Sequence, residues 1–524
     1  MSTLRRHTAD MVFVVLGLAV GLVSLTYPLA RDHALFFYGA REWLDRGQVL
    51  YRDILDHKTP GIYVIYAIAI EIFGKHEWSI RALELFVALP AVAVIGARLA
   101  TPRGERIAPG VIGAAWLGAC ILDVGYLSYW DSAQCEIWLT IFATGALAVV
   151  WHAKHFVRAC AVAGAMAAIA IVIKPPSLPF VSIVLVALWL RSRQEPSWRA
   201  YAWFAASGLA VAALVVSYFA AKHALAQMAE LLIGVNGAQV RNGPGVHDFE
   251  SLARESGRFF RDYEPFSGVF LVLAGLATVK GMVHRDRALA RKWALFIALA
   301  LASWVSVAMQ RKFYIYHRAC IVVLFALGFA IIHRDALAFF SSRPSWTAPL
   351  ATGVFAVVLF ALSVDASERW YESTRVGLQY ATGRMSREDF TRRFDVPGFF
   401  PCHDAELTGL WLRTHASPSD TVIVRGFEPE IYVTSGLHYT GRFVWSSFLT
   451  ESWRAYHQAE WVKEDRDALV AKPPRWAVAL THDHEGLTSA PFFEGLGYTM
   501  RVEIGDFQIM ERTAQGGSGG SVHE

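Results

Sequence analysis

Asp32, Asp56, His57 and Lys58 stand in one polar stretch, RDHALFFYGAREWLDRGQVLYRDILDHKTPG from Arg31 to Gly61, directly behind a long apolar run. A carboxylate there serves as a general base when apolar surroundings raise its pKa toward the working pH. An alternative makes Asp32 the N-cap of a helix beginning at His33, since Asp is a preferred cap, and the residues alone leave both readings open. Asp32, His33, Asp56 and His57 are also of the kinds that hold a divalent metal, but no fixed ligand spacing supports one, and no cofactor is expected. Further on, Tyr129, Asp131, Gln134 and Glu136 open an apolar run, and Lys174 closes another before Pro175 and Pro176. Gln310, Arg311, Lys312, Tyr314, Tyr316 and His317 separate two more. Basic residues at helix ends usually snorkel to the interface. Together, however, Lys58, Lys174, Arg311 and Lys312 make a candidate anion site whose natural ligand at an interface is a lipid phosphate.

Such residues need a membrane to position them, and the composition supplies one. The chain has 524 residues, 54% hydrophobic and 18% charged, with a mean hydropathy of +0.34, too apolar for a soluble globular protein of this size. Apolar runs of spanning length are expected at 11–29, 82–100, 107–125, 134–151, 156–173, 177–190, 200–221, 264–280, 292–310, 316–333 and 346–364. Gly61 to Phe73 is shorter than a span needs and is read as a surface or re-entrant helix. Leaving it out places the basic clusters around Arg98 to Arg106, Lys154 and Arg158, Arg191 to Arg199, Lys280 to Lys292, and Arg334 and Arg343 on one side. By the positive-inside rule that side is cytoplasmic, as is the N-terminus with Arg5 and Arg6. Asp32 and the C-terminus then lie outside. The first run is a signal anchor rather than a cleavable signal peptide. The net charge of +4 reads as topology, so no nucleic-acid partner is implied, and five scattered cysteines make no disulfide framework.

Three features fall outside the membrane under this topology. A first outer loop at 30–80 carries an amphipathic helix with Phe36, Ala40, Trp43 and Leu44 on one face and Gly47 as its C-cap, expected to lie on the bilayer. A second loop at 222–265, with Asn242, Gly243, Pro244 and Gly245, is a candidate flap. Residues 365–512 read as a small α/β domain, with a helix near Glu406 to His415 and strands at Thr421 to Arg425, Trp476 to Leu480 and a pair from Tyr498 to Met510. The 513–524 tail with GGSGGS is linker-like and set aside. Residues 1–364 form the transmembrane domain.

These residues carry a resemblance. An acidic residue ending the first span, an aromatic-rich helix, the run from Gly47 to Pro60 containing YRDILDHK, then Phe73-Gly74 and Arg81, followed by Gln134, Glu136, Lys174-Pro175 and QRKFYIYH, resembles the GT-C-type membrane glycosyltransferases. The likeness is to the superfamily of dolichyl-phosphate-mannose protein mannosyltransferases and lipid A aminoarabinose transferases, over about residues 10 to 335. It implies an α-helical polytopic protein of about eleven spans with a C-terminal α/β extracytoplasmic domain, and sugar transfer from a polyprenyl-phosphate carrier. Residue by residue it implies Asp32 as catalytic base and Lys58 and Lys174 on the carrier phosphate, assisted by Arg311, Lys312 and His317. Glu136 or Asp131, with Gln134, Tyr316, Asp56 and His57, would contact sugar or acceptor. His33 stands where a second acid is common in the family, against any paired-carboxylate role.

The expected activity is therefore an inverting, metal-independent glycosyltransferase of a bacterial inner membrane, with a polyprenyl-phosphate-linked sugar as donor. The acceptor is a lipopolysaccharide, polysaccharide, glycolipid or protein outside the cytoplasm, and membrane lipids are the other partners. The alternatives are a ligase moving a whole glycan from a lipid diphosphate and a transporter or flippase of a lipid-linked sugar. A transporter would keep its charges near the midplane in broken helices. Arg425, Glu428, Glu430 and Tyr432 are candidates for acceptor selection, against the alternative of an ordinary solvated loop.

Overall fold

The computed structural model describes residues 3–242, 245–451, 457–483 and 486–513. Gly243, Pro244 and the tail from 514 lie outside them. Among the described residues, eight helices are long and apolar enough to cross a membrane: Ser79–Ala100, Cys135–His152, Phe156–Ile173, Pro175–Ser192, Trp198–Ala221, Phe266–Val283, Leu289–Met309 and Ile315–Phe339. Two more pass as bent pairs, Asp10–Thr26 with Arg31–Arg46 and Thr347–Leu362 with Val364–Ala381. Val111–Tyr126 and the 13-residue Gly61–Phe73 are apolar but shorter. Every expected run is thus a helix, and the protein is a multi-pass membrane protein. The 222–265 region departs from expectation: it is largely helical, with Asn236–Asn242 and Phe249–Arg261. Asp248 caps the latter, its carboxylate accepting the Ser251 N–H at 2.7 Å.

Contacts divide the chain into two interleaved units. The first comprises 1–27, 59–218 and 245–382. Ile315–Phe339 is its centre, mostly buried, whereas Trp198–Ala221 is nearly bare, as a lipid-facing helix should be. Small residues let these helices approach closely. A Cβ at Gly164 would stand 2.0 Å from the Phe204 carbonyl oxygen, so only glycine fits there.

The second unit comprises 28–58, 219–244 and 383–524. Its four-stranded sheet has the order β1-β2-β4-β3, with β1 at Val422–Val424, β2 at Trp476–Leu480, β3 at Tyr498–Ile504 and β4 at Phe507–Arg512. β1 and β2 are parallel, and the rest antiparallel. The fully buried β1 and nearly buried β2 are the short, continuous apolar runs that a covered parallel pair requires. The helix expected near Glu406 spans Cys402–His415.

The Arg31–Arg46 helix belongs to this unit, and it corrects two expectations. It does not lie on a bilayer surface, because His33 through Glu42 are all buried. Its polar side is taken up within the unit. The Tyr38 ring packs tilted against Tyr432 at 4.8 Å and its hydroxyl accepts the Tyr439 N–H, while Arg41 donates to the carbonyls of Tyr432 (3.2 Å) and Leu437 (2.9 Å). Periodicity shows which face is apolar but not what covers the other. Nor is Asp32 the N-cap: the helix begins at Arg31 with Ala30 as N-cap, and Ala30 N–H donates to His33 Nδ1 at 3.4 Å. The imidazole at the third position thus takes the capping-box role usually filled by Glu or Gln. Gly47 ends the helix as expected, in the left-handed conformation at φ 66°.

Candidate active site

Each unit carries one cluster of the predicted groups. In the second unit, Asp32 sits in the first turn of the Arg31–Arg46 helix, where the free N–H groups favour negative charge. Lys58 Nζ lies 3.7 Å from Asp32 Oδ2 and 5.7 Å from the centre of the Phe36 ring. The two side chains are 13% and 16% exposed, so the pair is sheltered yet reachable. The loop leading to Lys58 is held by its neighbours. Its carbonyl accepts the Tyr51 hydroxyl (2.9 Å), and the His57 carbonyl accepts from Asn236 Nδ2 (2.9 Å). Asp56 Oδ1 accepts the His57 N–H at 2.8 Å, and the His57 ring packs against Trp445 and Phe448. Asp56 and His57 therefore also shape the loop that presents Lys58.

The setting of Arg31, the residue before Asp32, is not visible in the sequence. Arg31 lies over the rings of Phe399 (4.7 Å), Phe400 (5.5 Å) and Phe427 (5.5 Å) and is ion-paired to Glu428. Glu428, Glu430, Arg425 and Tyr432 are buried, so the solvated-loop alternative is wrong. These residues follow β1 into the packing against the Arg31–Arg46 helix. Burial raises both carboxyls, and Glu430, with the charge of Glu428 added, stands well above the usual carboxylate range. Both Glu430 carboxylate oxygens are buried, and among the described residues neither has a hydrogen-bond partner outside Glu430 itself. The folded state therefore binds a proton that the unfolded state releases. Stability from this group is greatest below the unfolded carboxylate pKa and falls as pH rises toward the folded one, by up to about 1.4 kcal/mol per pH unit. Glu430→Gln is expected to raise the thermal midpoint above pH 7 and to flatten its pH dependence. A parallel pH dependence in wild type and variant would refute the assignment.

In the first unit, the Lys174 ammonium is ion-paired to Glu136 Oε1 and lies 5.3 Å from the centre of the Tyr316 ring. Lys174 is extended (φ −164°, ψ 123°) because a following proline excludes the helical conformation, and this swings its side chain off the end of Phe156–Ile173. Glu136 begins Cys135–His152, with Gln134 as the N-cap residue. The turn before it is latched from Ser79–Ala100: Arg81 donates to Ser132 Oγ and to the Tyr129 carbonyl, and Glu84 accepts the Ala133 N–H at 2.6 Å. This latch lets Ala133 adopt φ 56°, unusual for a residue with a Cβ. Thr59 donates to the Ile173 carbonyl in the same unit. His317 is buried, edge-on to Tyr316 at 4.4 Å. Arg311 occupies a left-handed turn (φ 59°) and its carbonyl accepts the Val246 N–H, while the Lys312 ammonium rests on Tyr314 at 5.8 Å. Asp131 accepts from Ser128 Oγ at 2.5 Å.

All five cysteines are buried and free. Among the described residues no three His, Cys, Asp or Glu side chains are grouped to hold a metal ion.

Apolar spans that carry carboxylate and ammonium groups at their ends, together with a small mixed sheet, define a multi-pass membrane protein whose fold is shared with solved structures. Two solved structures establish the likeness. ArnT from Cupriavidus metallidurans bound to undecaprenyl phosphate matches with a TM-score of 0.55 at 14% identity, over 96% of this chain and 98% of that one. The apo state of the same protein matches at 0.54 and 12%, over 95% and 97%. The archaeal oligosaccharyltransferase AglB from Archaeoglobus fulgidus, in complex with an inhibitory peptide and a dolichol-phosphate, matches at 0.45 and 10%, over 91% and 70%. No family model and no curated protein sequence matches the chain. At these identities the likeness is one of fold.

Proposed function

We propose that this protein is an inverting glycosyltransferase that takes a sugar from a polyprenyl-phosphate carrier at the extracytoplasmic face of a bacterial inner membrane. The observation that supports the reading is the sheltered Asp32–Lys58 pair, a carboxylate 3.7 Å from an ammonium, groups of the kinds that accept a proton and bind a phosphate. The shared fold with ArnT, whose solved structure holds undecaprenyl phosphate, supports it. The acceptor hydroxyl oxygen attacks the anomeric carbon as the bond from that carbon to the carrier phosphate oxygen breaks. The acceptor proton passes to Asp32, and polyprenyl phosphate leaves with its charge met by Lys58; Lys174 is assigned to the carrier phosphate on the resemblance alone. One displacement gives inversion. Glu136 holds the Lys174 ammonium in place and is assigned to the sugar or acceptor, with Gln134 and Tyr316 beside it. Arg311, Lys312 and His317 are assigned a supporting role toward the phosphate.

Mass spectrometry of co-purifying lipids tests the reading. The wild type is expected to retain a polyprenyl phosphate or its glycosylated form. Lys58→Ala and the compensated pair Lys174→Ala with Glu136→Gln should each weaken retention roughly 10- to 100-fold, the worth of one charge-assisted hydrogen bond. A wild type that retains no such lipid and releases none from labelled donor would sink the proposal.

A further inference from the structure

Lys58 is brought to Asp32 by residues 49–58, through which no helix or strand runs. A lysine side chain on a loose backbone samples many positions, so something outside this loop must fix where its ammonium stands. The fixed point is Leu55. It is fully buried, and both of its backbone polar groups are engaged: its N–H donates to the Arg442 carbonyl at 2.9 Å, and its carbonyl accepts the indole Nε1–H of Trp445 at 3.1 Å. An indole has a single donor, and Trp445 commits it to the backbone that leads into Lys58.

Trp445 is itself held in place. Its ring stacks on Phe427 at 4.3 Å and meets Phe448 edge-on at 4.7 Å. Two hydrogen bonds tie the chain beside it to the segment that follows β1: Ser446 N–H donates to the Gly426 carbonyl (2.9 Å), and Gly426 N–H donates to Ser446 Oγ (2.8 Å). Phe427 in turn lies 5.5 Å from the guanidinium of Arg31, the neighbour of Asp32. A run of contacts from Leu55 through Trp445 and Phe427 to Arg31 therefore reaches the chain on both sides of the Asp32–Lys58 pair, all of it within the second unit. Trp445 is 2% exposed and acts only through what it holds. We propose that Trp445 is a positioning residue that sets the Lys58 ammonium against Asp32. The segment that carries it, far along the chain, then has a part in binding the donor phosphate. That this placement serves sugar transfer rests on the transferase reading; the placement of Lys58 by Trp445 does not.

Trp445→Phe keeps an aromatic ring beside Phe427 and removes the donor to Leu55. Full-length protein is labelled by reductive methylation with carbon-13, which keeps the lysine charge, and the Lys58 NMR signal is assigned by its loss in Lys58→Arg. The expected result is a Lys58 signal that moves in Trp445→Phe toward its position in Asp32→Asn, where the carboxylate partner is gone. On unlabelled protein, retained polyprenyl phosphate should fall about 3- to 10-fold in Trp445→Phe, the worth of a hydrogen bond, and should fall no further when Trp445→Phe is added to Lys58→Ala. An unmoved Lys58 signal overturns the proposal. So does an equal further loss of lipid in the Lys58→Ala background, which marks a general weakening of the fold. Should Trp445→Phe not fold, Phe427→Leu keeps the Trp445 donor but removes the ring it stacks on, and a Lys58 signal unmoved there overturns the proposal in the same way. A signal that moves in a protein that neither retains polyprenyl phosphate nor releases it from labelled donor refutes the transferase reading and leaves the positioning role standing.

Discussion

Asp32→Asn is expected to lower sugar transfer by about 10²- to 10⁴-fold, the usual contribution of a positioned general base, while carrier retention stays at the wild-type level. The substitution is nearly isosteric and the amide oxygen still faces Lys58, which is 3.7 Å from Asp32 in the wild type. The Arg31–Arg46 helix keeps its cap, because that cap is made by Ala30 and His33 rather than by Asp32. The loss should therefore appear in kcat, with KM for the donor little changed. An Asp32→Asn variant that transfers sugar at the wild-type rate removes Asp32 from the mechanism, whatever lipid it carries. One that loses both turnover and lipid would make Asp32 a donor-binding residue instead.

The largest expected effect on stability comes from the other end of the chain. Arg425 and Asp465 form an ion pair in the second unit in which both side chains are 0% exposed. Arg425 extends β1, and Asp465 lies on the Gln458–Ala471 helix that crosses over to β2. Removing one partner leaves a buried charge without compensation. Asp465→Ala is expected to destabilise the protein by about 3–5 kcal/mol, whereas Arg425→Met combined with Asp465→Leu should recover most of that loss. Thermal unfolding in detergent distinguishes the two. Equal midpoints for wild type and Asp465→Ala would show the pair to be dispensable. Because the Arg31–Arg46 helix is packed in the same unit, Asp465→Ala should also lose turnover at temperatures where the wild type is active.

The chain by itself determined the membrane class, because an apolar run near 20 residues has few other stable fates. It determined where the helices stop, because Pro175 excludes a helical Lys174 and Gly47 accepts the left-handed cap. It also determined the strands, since 476–480 is a short buried apolar run bounded by turn residues. Resemblance then pointed to Asp32, Lys58, Lys174 and Glu136, each at or near the end of an apolar run.

Only the tertiary structure decided which charges meet. Asp32 and Lys58 are separated by a whole helix and a loop, Lys174 and Glu136 by two spans, and Arg31 reaches Glu428 at 397 residues along the chain. Such pairings depend on the path of the chain, and local composition carries no record of it. Hydrophobic periodicity likewise shows that a helix has an apolar face but not that its polar face will be covered. The Arg31–Arg46 helix therefore read as a bilayer-surface element and is in fact buried. The same limit hid the burial of Glu428 and Glu430, which the sequence offered as candidates but whose polar types suggested solvent.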